Sequence, residues 1–208
     1  MKTTPLLWAA LLLAACNSKP AAEKQIIADV AIPAETPVDP YFKAFMSKFR
    51  LLQLPLTIRP MELGDINNLP LLYGKDTNYI TAPGTDTSIY RLYAYGLLAD
   101  TANSYKLIWL SPADDYCPVL VTYTKKGEKI SEGGLTAAGC GSDCCWECNQ
   151  TISISKELSI YSADSIKTCE CDDNGPKPET MRKYTMVKTA KIEADGKFKF
   201  TELVEKNY

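Results

Sequence analysis

Apolar and polar residues alternate with a period of two through most of the chain after residue 88. This spacing is typical of β-strands that bury one face. Turn-forming residues separate the alternating runs, most clearly at Gly127 and at the pair Asp195-Gly196. The pattern predicts strands over residues 88–98, 105–110, 119–124, 129–131, 150–161 with a break near 156–157, 165–171, 183–193 and 198–203.

The links between these predicted strands are short. Parallel neighbours need a crossover of about a dozen residues or more, whereas antiparallel neighbours can be joined by a tight turn. We therefore expect a mostly-β fold, built as a single antiparallel β-meander domain with one N-terminal amphipathic helix. A sandwich, an open barrel and a propeller-like meander all agree with this pattern.

A helical period replaces the alternation in residues 42–49. Four large apolar side chains occupy one stripe there, namely Phe42, Phe45, Met46 and Phe49. Asp39 is the expected N-cap, with Pro40 at the first helical position, and Lys48 and Arg50 suit the last turn. The stripe predicts a helix that packs on the sheet, and a helix lying on a membrane surface is the alternative.

The chain begins MKTTPLLWAALLLAAC, a positive charge followed by an uncharged apolar run. That run is too short to cross a bilayer, which takes about 20 residues, and it has the size of a signal-peptide core. The sequence LAAC at residues 13–16 resembles the lipobox of bacterial lipoprotein precursors. The resemblance implies a signal peptide at residues 1–15, and acyl chains such as palmitate on Cys16 that anchor the protein in a membrane. An ordinary secretory signal with an incidental cysteine is the alternative.

Residues 16–40 are rich in Ala, Pro, Glu and Lys and show little apolar periodicity. They are interpreted as a flexible tether that leads to a β-rich domain at 41–208, and an edge strand at residues 25–32 is the alternative. Asn17 is not the aspartate that retains some lipoproteins in the inner membrane, and no acidic export signal follows Cys16. By resemblance this favours the outer membrane, with the periplasmic face preferred to the cell surface.

Composition narrows the range of functions. The formal net charge is −2 and no basic cluster stands out, which excludes a typical nucleic-acid-binding face. The chain has no histidine, so the commonest general base and the commonest metal ligand are both missing. No phosphate-binding loop, nucleophile elbow or metalloprotease motif occurs either.

These observations favour a non-enzymatic binding or structural module of the cell envelope, with another envelope protein or a glycan as partner. An envelope enzyme with an unidentified carboxylate site, and a protein that handles metal or thiols through its cysteines, are the alternatives. The stretch from Tyr90 to Gly127 loosely resembles small lipoproteins of Bacteroidota, a resemblance that implies no activity.

Seven cysteines remain apart from the expected lipidation site, and they are Cys117, Cys140, Cys144, Cys145, Cys148, Cys169 and Cys171. In an oxidising compartment such cysteines persist as disulfides. Residues 132–149 form a loop rich in Gly and Cys, and Cys169 and Cys171 lie on one face of a predicted strand. We expect this strand to be bridged to the loop, with the adjacent Cys144 and Cys145 on different partners and one cysteine left over.

Zinc and redox chemistry are the alternatives for these cysteines. Cys145 and Cys148 have the spacing of a zinc knuckle, and Cys169 with Cys171 could complete four thiolates. The same CxxC spacing occurs in redox motifs, but those follow a strand and begin a helix. Disulfide cross-linking is favoured because of the expected compartment and the narrow spacing of the second pair, so no cofactor is expected.

A possible cation site follows the last pair of cysteines. Asp172, Asp173 and Asn174 offer carboxylate and amide oxygens, which are the ligands that Ca²⁺ prefers. The alternating ligand order of a calcium-binding loop is missing. A solvated turn is the simpler interpretation.

Aromatic residues cluster on three successive predicted strands, and one more lies in the cysteine-rich loop. Aromatic rings with polar edges are common on surfaces that contact carbohydrate or protein. Strand propensity explains the strand aromatics without any ligand. The candidate ligand contacts are Tyr93, Tyr95, Trp109 and Trp146.

Overall fold

The computed structural model describes residues 39–80, 91–113, 116–141 and 144–207, and these ranges belong to one compact unit. The expected signal peptide, the alternative edge strand, Cys16 and Tyr90 lie outside the described residues, as does the expected tether up to residue 38. In chain order the strands are β1 (Leu51–Leu52), β2 (Leu56–Ile58), β3 (Leu71–Leu72), β4 (Leu92–Leu98), β5 (Tyr105–Pro112), β6 (Tyr116–Tyr123), β7 (Lys129–Gly134), β8 (Glu147–Ile154), β9 (Ser159–Asp172), β10 (Gly175–Lys191) and β11 (Val204–Asn207). The helices are α1 (Pro40–Met46) and α2 (Thr77–Ile80), with 3₁₀ turns at Pro60–Glu62, Ile66–Asn68 and Gly74–Asp76.

The strands form two sheets, and each sheet contains a four-strand antiparallel meander. Sheet A has the order β1-β4-β5-β6-β7, with β3 also paired to β4, and sheet B has the order β11-β10-β9-β8-β2. The mostly-β prediction is confirmed. One pairing departs from the antiparallel expectation, because β1 lies parallel to β4. Two backbone bonds flank this short contact, from Leu97 N–H to Arg50 O at 2.8 Å and from Ala99 N–H to Leu52 O at 2.9 Å.

The segment that follows α1 contributes to both sheets. β1 pairs with β4 in sheet A, and four residues later β2 pairs with β8 in sheet B. Leu52 and Ile58 are buried in the same apolar core as a result. The N-terminal segment therefore joins the edges of the two sheets.

One hydrophobic core fills the space between the sheets. Sheet A contributes Leu98, Ile108 and Leu120, all fully buried. Sheet B contributes the inward-facing residues of its middle strands, including Ile152 and Ile160. Two sheets packed face to face over a shared apolar layer form a sandwich, so tertiary packing selects this arrangement among those that agree with the sequence pattern.

α1 covers the other face of sheet A. Phe42 and Phe45 are fully buried, and the Phe45 ring stacks on Tyr79 with centroids 4.9 Å apart. Asp39 Oδ1 accepts a hydrogen bond from Tyr41 N–H at 3.0 Å, which confirms the predicted N-cap. The helix is shorter than its apolar stripe because it ends at Met46, and Phe49 reaches the core from the turn that follows.

Three differences from the predicted elements have physical reasons. β9 is continuous from residue 159 to 172, because β8 and β10 pair with it on both sides. Residues 198–203 follow the predicted Asp195-Gly196 turn but form no strand. Phe198 and Phe200 instead pack against the core between the sheets, where both rings approach Gly133. The short helical turns between residues 60 and 80 have no clear periodicity, and the sequence pattern did not predict them.

Candidate functional site

The cysteine-rich loop is fastened to sheet B by disulfides. Three bridges are present, Cys140–Cys148, Cys144–Cys171 and Cys145–Cys169, with Cα–Cα distances of 5.6, 6.4 and 5.5 Å. Two of them join the loop to the end of β9, and the adjacent cysteines take different partners, as expected. The loop therefore moves with the β9–β10 hairpin as one covalent unit.

The four sulfurs of the possible zinc site are divided among all three bridges. A sulfur in a disulfide is not a thiolate and does not ligate zinc as one. Cys145 and Cys148 are also not bonded to each other, which a dithiol redox pair requires. These four cysteines therefore form disulfide cross-links instead of a zinc site or a redox pair. Cys117, which belongs to none of these bridges, is half-buried in β6 opposite Ser111.

A buried carboxylate holds the start of the loop. Asp164 is fully buried on the inner face of β9, and its Oδ2 accepts hydrogen bonds from Ala138 N–H at 2.7 Å and from Gly139 N–H at 2.8 Å. Gln150 lies directly opposite on β8 and donates to the same oxygen at 3.4 Å. Successive backbone N–H groups form a concave anion site, and the positive φ of Gly139, 88°, allows this turn.

Lys188 holds the last residue of β7, just before the same loop. Its Nζ donates to the Gly134 carbonyl oxygen at 2.8 Å and lies 4.3 Å from the centre of the Phe200 ring. Burial lowers the pKa of Lys188, and the nearby charge of Asp164 opposes that shift. Sequence reasoning missed both side chains. The available signal was an acidic residue at an inward position of β9, between Ile160 and Ile166.

The possible calcium ligands serve the turn between β9 and β10. Asp172 Oδ1 accepts from Asn174 N–H at 2.8 Å, and Asp172 Oδ2 pairs with Lys177 Nζ at 3.2 Å. The carboxylate is thus engaged by its own hairpin, which agrees with the solvated turn. Within the described ranges, no group of three or more Cys, Asp or Glu side chains comes together in a form that could hold a metal ion.

Two of the candidate aromatic contacts are buried. Tyr93 is 4% exposed and Trp109 is 6% exposed, so neither ring is available to a ligand at the surface. The physical reason is that β4 and β5 lie in the middle of sheet A, which is covered by sheet B on one face and by α1 on the other. Tyr95 is half-buried, and the Arg50 guanidinium lies over the Tyr95 ring, 5.1 Å from the ring centre.

Trp146 is the fourth candidate contact, and it is half-buried inside the disulfide-linked loop. It lies between Cys145 and Cys148, each of which is bridged to a different partner. The loop therefore fixes the position of this ring by covalent bonds on either side.

A groove of about 630 Å³ crosses the outer face of sheet B. Four hydroxyl-bearing residues lie directly opposite one another across four strands. In order from β2 to β10 they are Thr57, Ser153, Tyr161 and Thr189. Thr201 continues this row, since its N–H donates to the Thr189 carbonyl oxygen at 2.8 Å. We refer to Thr57, Ser153, Tyr161, Thr189 and Thr201 as the hydroxyl row.

Tyr161 is the exposed aromatic residue of the groove, with 41% of its surface accessible. Lys191 and Lys199 also line the groove, and its lining in the described part of the chain includes no carboxylate side chain. A flat, hydroxyl-lined floor with one exposed ring suits a ligand that has hydroxyls at its edge and an apolar face. The sequence signal was the run of Ser, Thr and Tyr at outward positions of β8 and β9.

Comparison of the chain with protein-family models, with characterised proteins and with solved structures found no match.

Among the helices in the described ranges, none combines the length and the apolar character that crossing a bilayer requires.

Proposed function

We propose that this protein is a lipid-anchored binding protein of the bacterial outer membrane, and that its disulfide-stabilised domain binds an envelope glycan in the groove of sheet B. The observation that carries the proposal is the hydroxyl row, with the exposed ring of Tyr161 at its centre. The domain acts as a non-enzymatic module in this proposal, on the periplasmic face of the membrane.

The cysteines support the envelope location. Six of them are oxidised in three bridges, a state that persists in oxidising compartments and is rare in the bacterial cytosol. The lipobox-like LAAC at residues 13–16 independently suggests export followed by acylation of Cys16. Both features suit a chain that is held at a membrane while its domain folds outside the cytoplasm.

The groove supports a carbohydrate as the ligand class. Sugar rings have an apolar face that packs on aromatic side chains, and hydroxyls that exchange hydrogen bonds with Ser and Thr. The groove volume of about 630 Å³ falls within the range of small-molecule sites. Lys191 and Lys199 add positive charge to the rim, which favours a glycan with an acidic group.

Binding to purified cell-wall glycan tests the groove. We expect the wild-type protein to sediment with the glycan, and Tyr161→Ala to bind roughly tenfold more weakly because it loses the central stacking surface. Tyr73→Ala is the matched control, since Tyr73 is exposed outside the groove. Equal binding by the Tyr161 and Tyr73 variants would argue against the groove as the site.

Metabolic labelling with palmitate tests the anchor separately. We expect label on the wild-type protein in the outer-membrane fraction and none on Cys16→Ser. Equal labelling of the two proteins would contradict the proposed lipid anchor, whatever the result of the glycan experiment.

A further inference from the structure

Two exposed tyrosines, one exposed lysine and one half-buried lysine form a group beside α1. Tyr41 is 56% exposed and Tyr73 is 66% exposed, which is the largest exposure among the exposed large hydrophobic side chains of the described residues. Lys75 Nζ lies 3.7 Å from the centre of the Tyr41 ring, and Lys48 Nζ lies 4.7 Å from the centre of the Tyr73 ring. We call these four residues the tyrosine–lysine surface.

Asp76 joins the two halves of this surface. Its Oδ2 pairs with Lys48 Nζ at 2.6 Å and accepts from Tyr73 N–H at 3.0 Å, and the residue next to it is Lys75. Both rings are therefore held in place by their neighbours while their edges stay open to solvent. Tyrosine and lysine are the side chains that suit a bilayer interface, where rings and methylene stems enter the headgroup layer and polar ends stay wet.

The position of this surface along the chain matches the expected anchor. Tyr41 is the second residue of α1, immediately after the segment interpreted as the tether. A random-coil chain of about 25 residues spans roughly 25–30 Å on average, so a tether of the expected length would let many faces of the domain reach the bilayer. Surface chemistry must then select the orientation, and tethering makes even a weak contact effective because the local concentration is high.

The layer order of the fold adds a second argument. α1 covers one face of sheet A, and sheet B packs on the opposite face. Tyr161 and the groove lie on the outer face of sheet B, so the tyrosine–lysine surface and the groove occupy opposite outer layers of the domain. A domain that rests on the membrane through α1 presents the groove away from the bilayer.

We propose that the tyrosine–lysine surface rests on the anionic headgroups of the membrane that holds the lipid anchor. Within this surface, Lys75 forms no ion pair with another described residue, which leaves its charge available to anionic lipids. This inference rests on the proposed anchor at Cys16. It assigns the surface to lipid headgroups instead of to a protein partner.

Photolabelling in proteoliposomes tests the orientation. The lipidated full-length protein is placed in vesicles of phosphatidylethanolamine and phosphatidylglycerol that contain a photoactivatable phospholipid, and labelled peptides are mapped by mass spectrometry. We expect domain labelling to concentrate in residues 39–76. Lys75→Glu should lower it roughly fivefold, as should replacing phosphatidylglycerol by phosphatidylcholine.

The double variant Tyr41→Ser/Tyr73→Ser should lose the same labelling, and Leu203→Ser/Val204→Ser, at side chains that are 43% and 51% exposed, is the control on another surface. Labelling spread evenly over the domain, centred on β8 and β9, or equal in both double variants would overturn the orientation. The intact mass of the same protein reports the acyl chains. Their absence identifies failure of the anchor, whereas acylated protein without labelling at residues 39–76 refutes only the tyrosine–lysine surface.

Discussion

The Asp164 carboxylate accepts a hydrogen bond from the Gly139 backbone at 2.8 Å, although the two residues are 25 positions apart in the chain. This contact places the beginning of the cysteine-rich loop on the inner face of sheet B. The first loop cysteine, Cys140, follows directly. The hydrogen bonds that Asp164 accepts from the loop, which we call the clamp, and the three disulfides therefore hold the same loop.

Asp164→Ala is expected to lower the free energy of unfolding by about 2–4 kcal/mol, because the two part-buried hydrogen bonds that its carboxylate accepts from backbone N–H groups are lost. Urea unfolding of the oxidised protein measures this loss. Asp173→Ala changes an exposed carboxylate in the β9–β10 turn and should have little effect. A loss for Asp164→Ala no larger than that of the control would show that the clamp does not stabilise the fold.

The two bridges between the loop and β9 are nested, since they close loops of 27 and 24 residues that nearly coincide. While one remains, the unfolded chain keeps almost the same restriction. Removing both should cost about 3.5 kcal/mol by the chain-entropy relation, and removing either alone much less than half of that.

Urea unfolding of Cys144→Ser/Cys171→Ser, Cys145→Ser/Cys169→Ser and the variant with all four substitutions measures this coupling. Losses in the two single-bridge variants that add up to the loss in the fourfold variant would contradict the nested arrangement. Cys140–Cys148 closes a loop between cysteines 8 positions apart, and this loop contains Cys144 and Cys145, so its removal should also couple to the loss of the other two bridges.

The raised pKa of Tyr79 predicts how the stability of the fold changes at alkaline pH. Burial, together with its hydrogen bond to Asp39 Oδ2 at 2.8 Å, raises the pKa of Tyr79 to about 12. The pKa of an unfolded tyrosine is about 10. Between pH ~10 and ~12 the folded protein therefore keeps this proton while the unfolded chain loses it. The stabilisation is complete below pH ~10 and should be lost as the pH rises toward about 12.

Unfolding by urea at a series of alkaline pH values tests this relation, with tyrosinate absorbance as the second observable. Tyr79→Phe should make the stability fall less steeply with pH, whereas Tyr161→Phe, which alters an exposed ring, should leave the slope unchanged. Equal slopes in wild type and Tyr79→Phe would show that Tyr79 does not carry the effect.

The packing of α1 on sheet A predicts that truncating the Phe45 side chain strongly lowers the stability of the fold. This fully buried ring contacts Phe49, Tyr79 and Tyr123, with centroid distances of 5.1, 4.9 and 6.2 Å. Phe45→Ala should cost about 3–5 kcal/mol in unfolding free energy because it leaves a cavity under α1. Lys43→Ala, exposed on the same helix, should change stability by less than about 0.5 kcal/mol, and a comparable loss in both would refute the packing.

The sequence predicted most of the individual strands and the N-terminal helix, because alternation and helical spacing are local properties. It did not predict which side chains of β4 face the core between the sheets and which face the core under α1. A register shift between Ala94 and Gly96 moves Leu97 to the helix side, where strict alternation from Tyr93 would place it toward sheet B. Such an irregularity depends on the neighbouring strand and leaves no mark in the apolar pattern.

The sequence also predicted only a part of the candidate site. The link between the loop and the strand of Cys169 and Cys171 was predicted from the cysteine spacing and from the oxidising compartment that the sequence suggests. The individual pairings depend on the distances that folding creates, as does the choice of cross-links over a zinc site. The hydroxyl row was not predicted, because its members come from β2, β8, β9 and β10 and meet only through strand register.

The sequence by itself determined a mostly-β domain and a capped helix before it, since each depends on residues close together in the chain. Tertiary structure alone decided that the strands divide into two sheets, that sheet A is buried on both faces, and that Tyr161 is exposed while Tyr93 and Trp109 are not. The physical reason is that burial depends on which layers stack. Stacking is set by contacts between distant segments, such as Asp164 with Gly139, which local patterns do not contain.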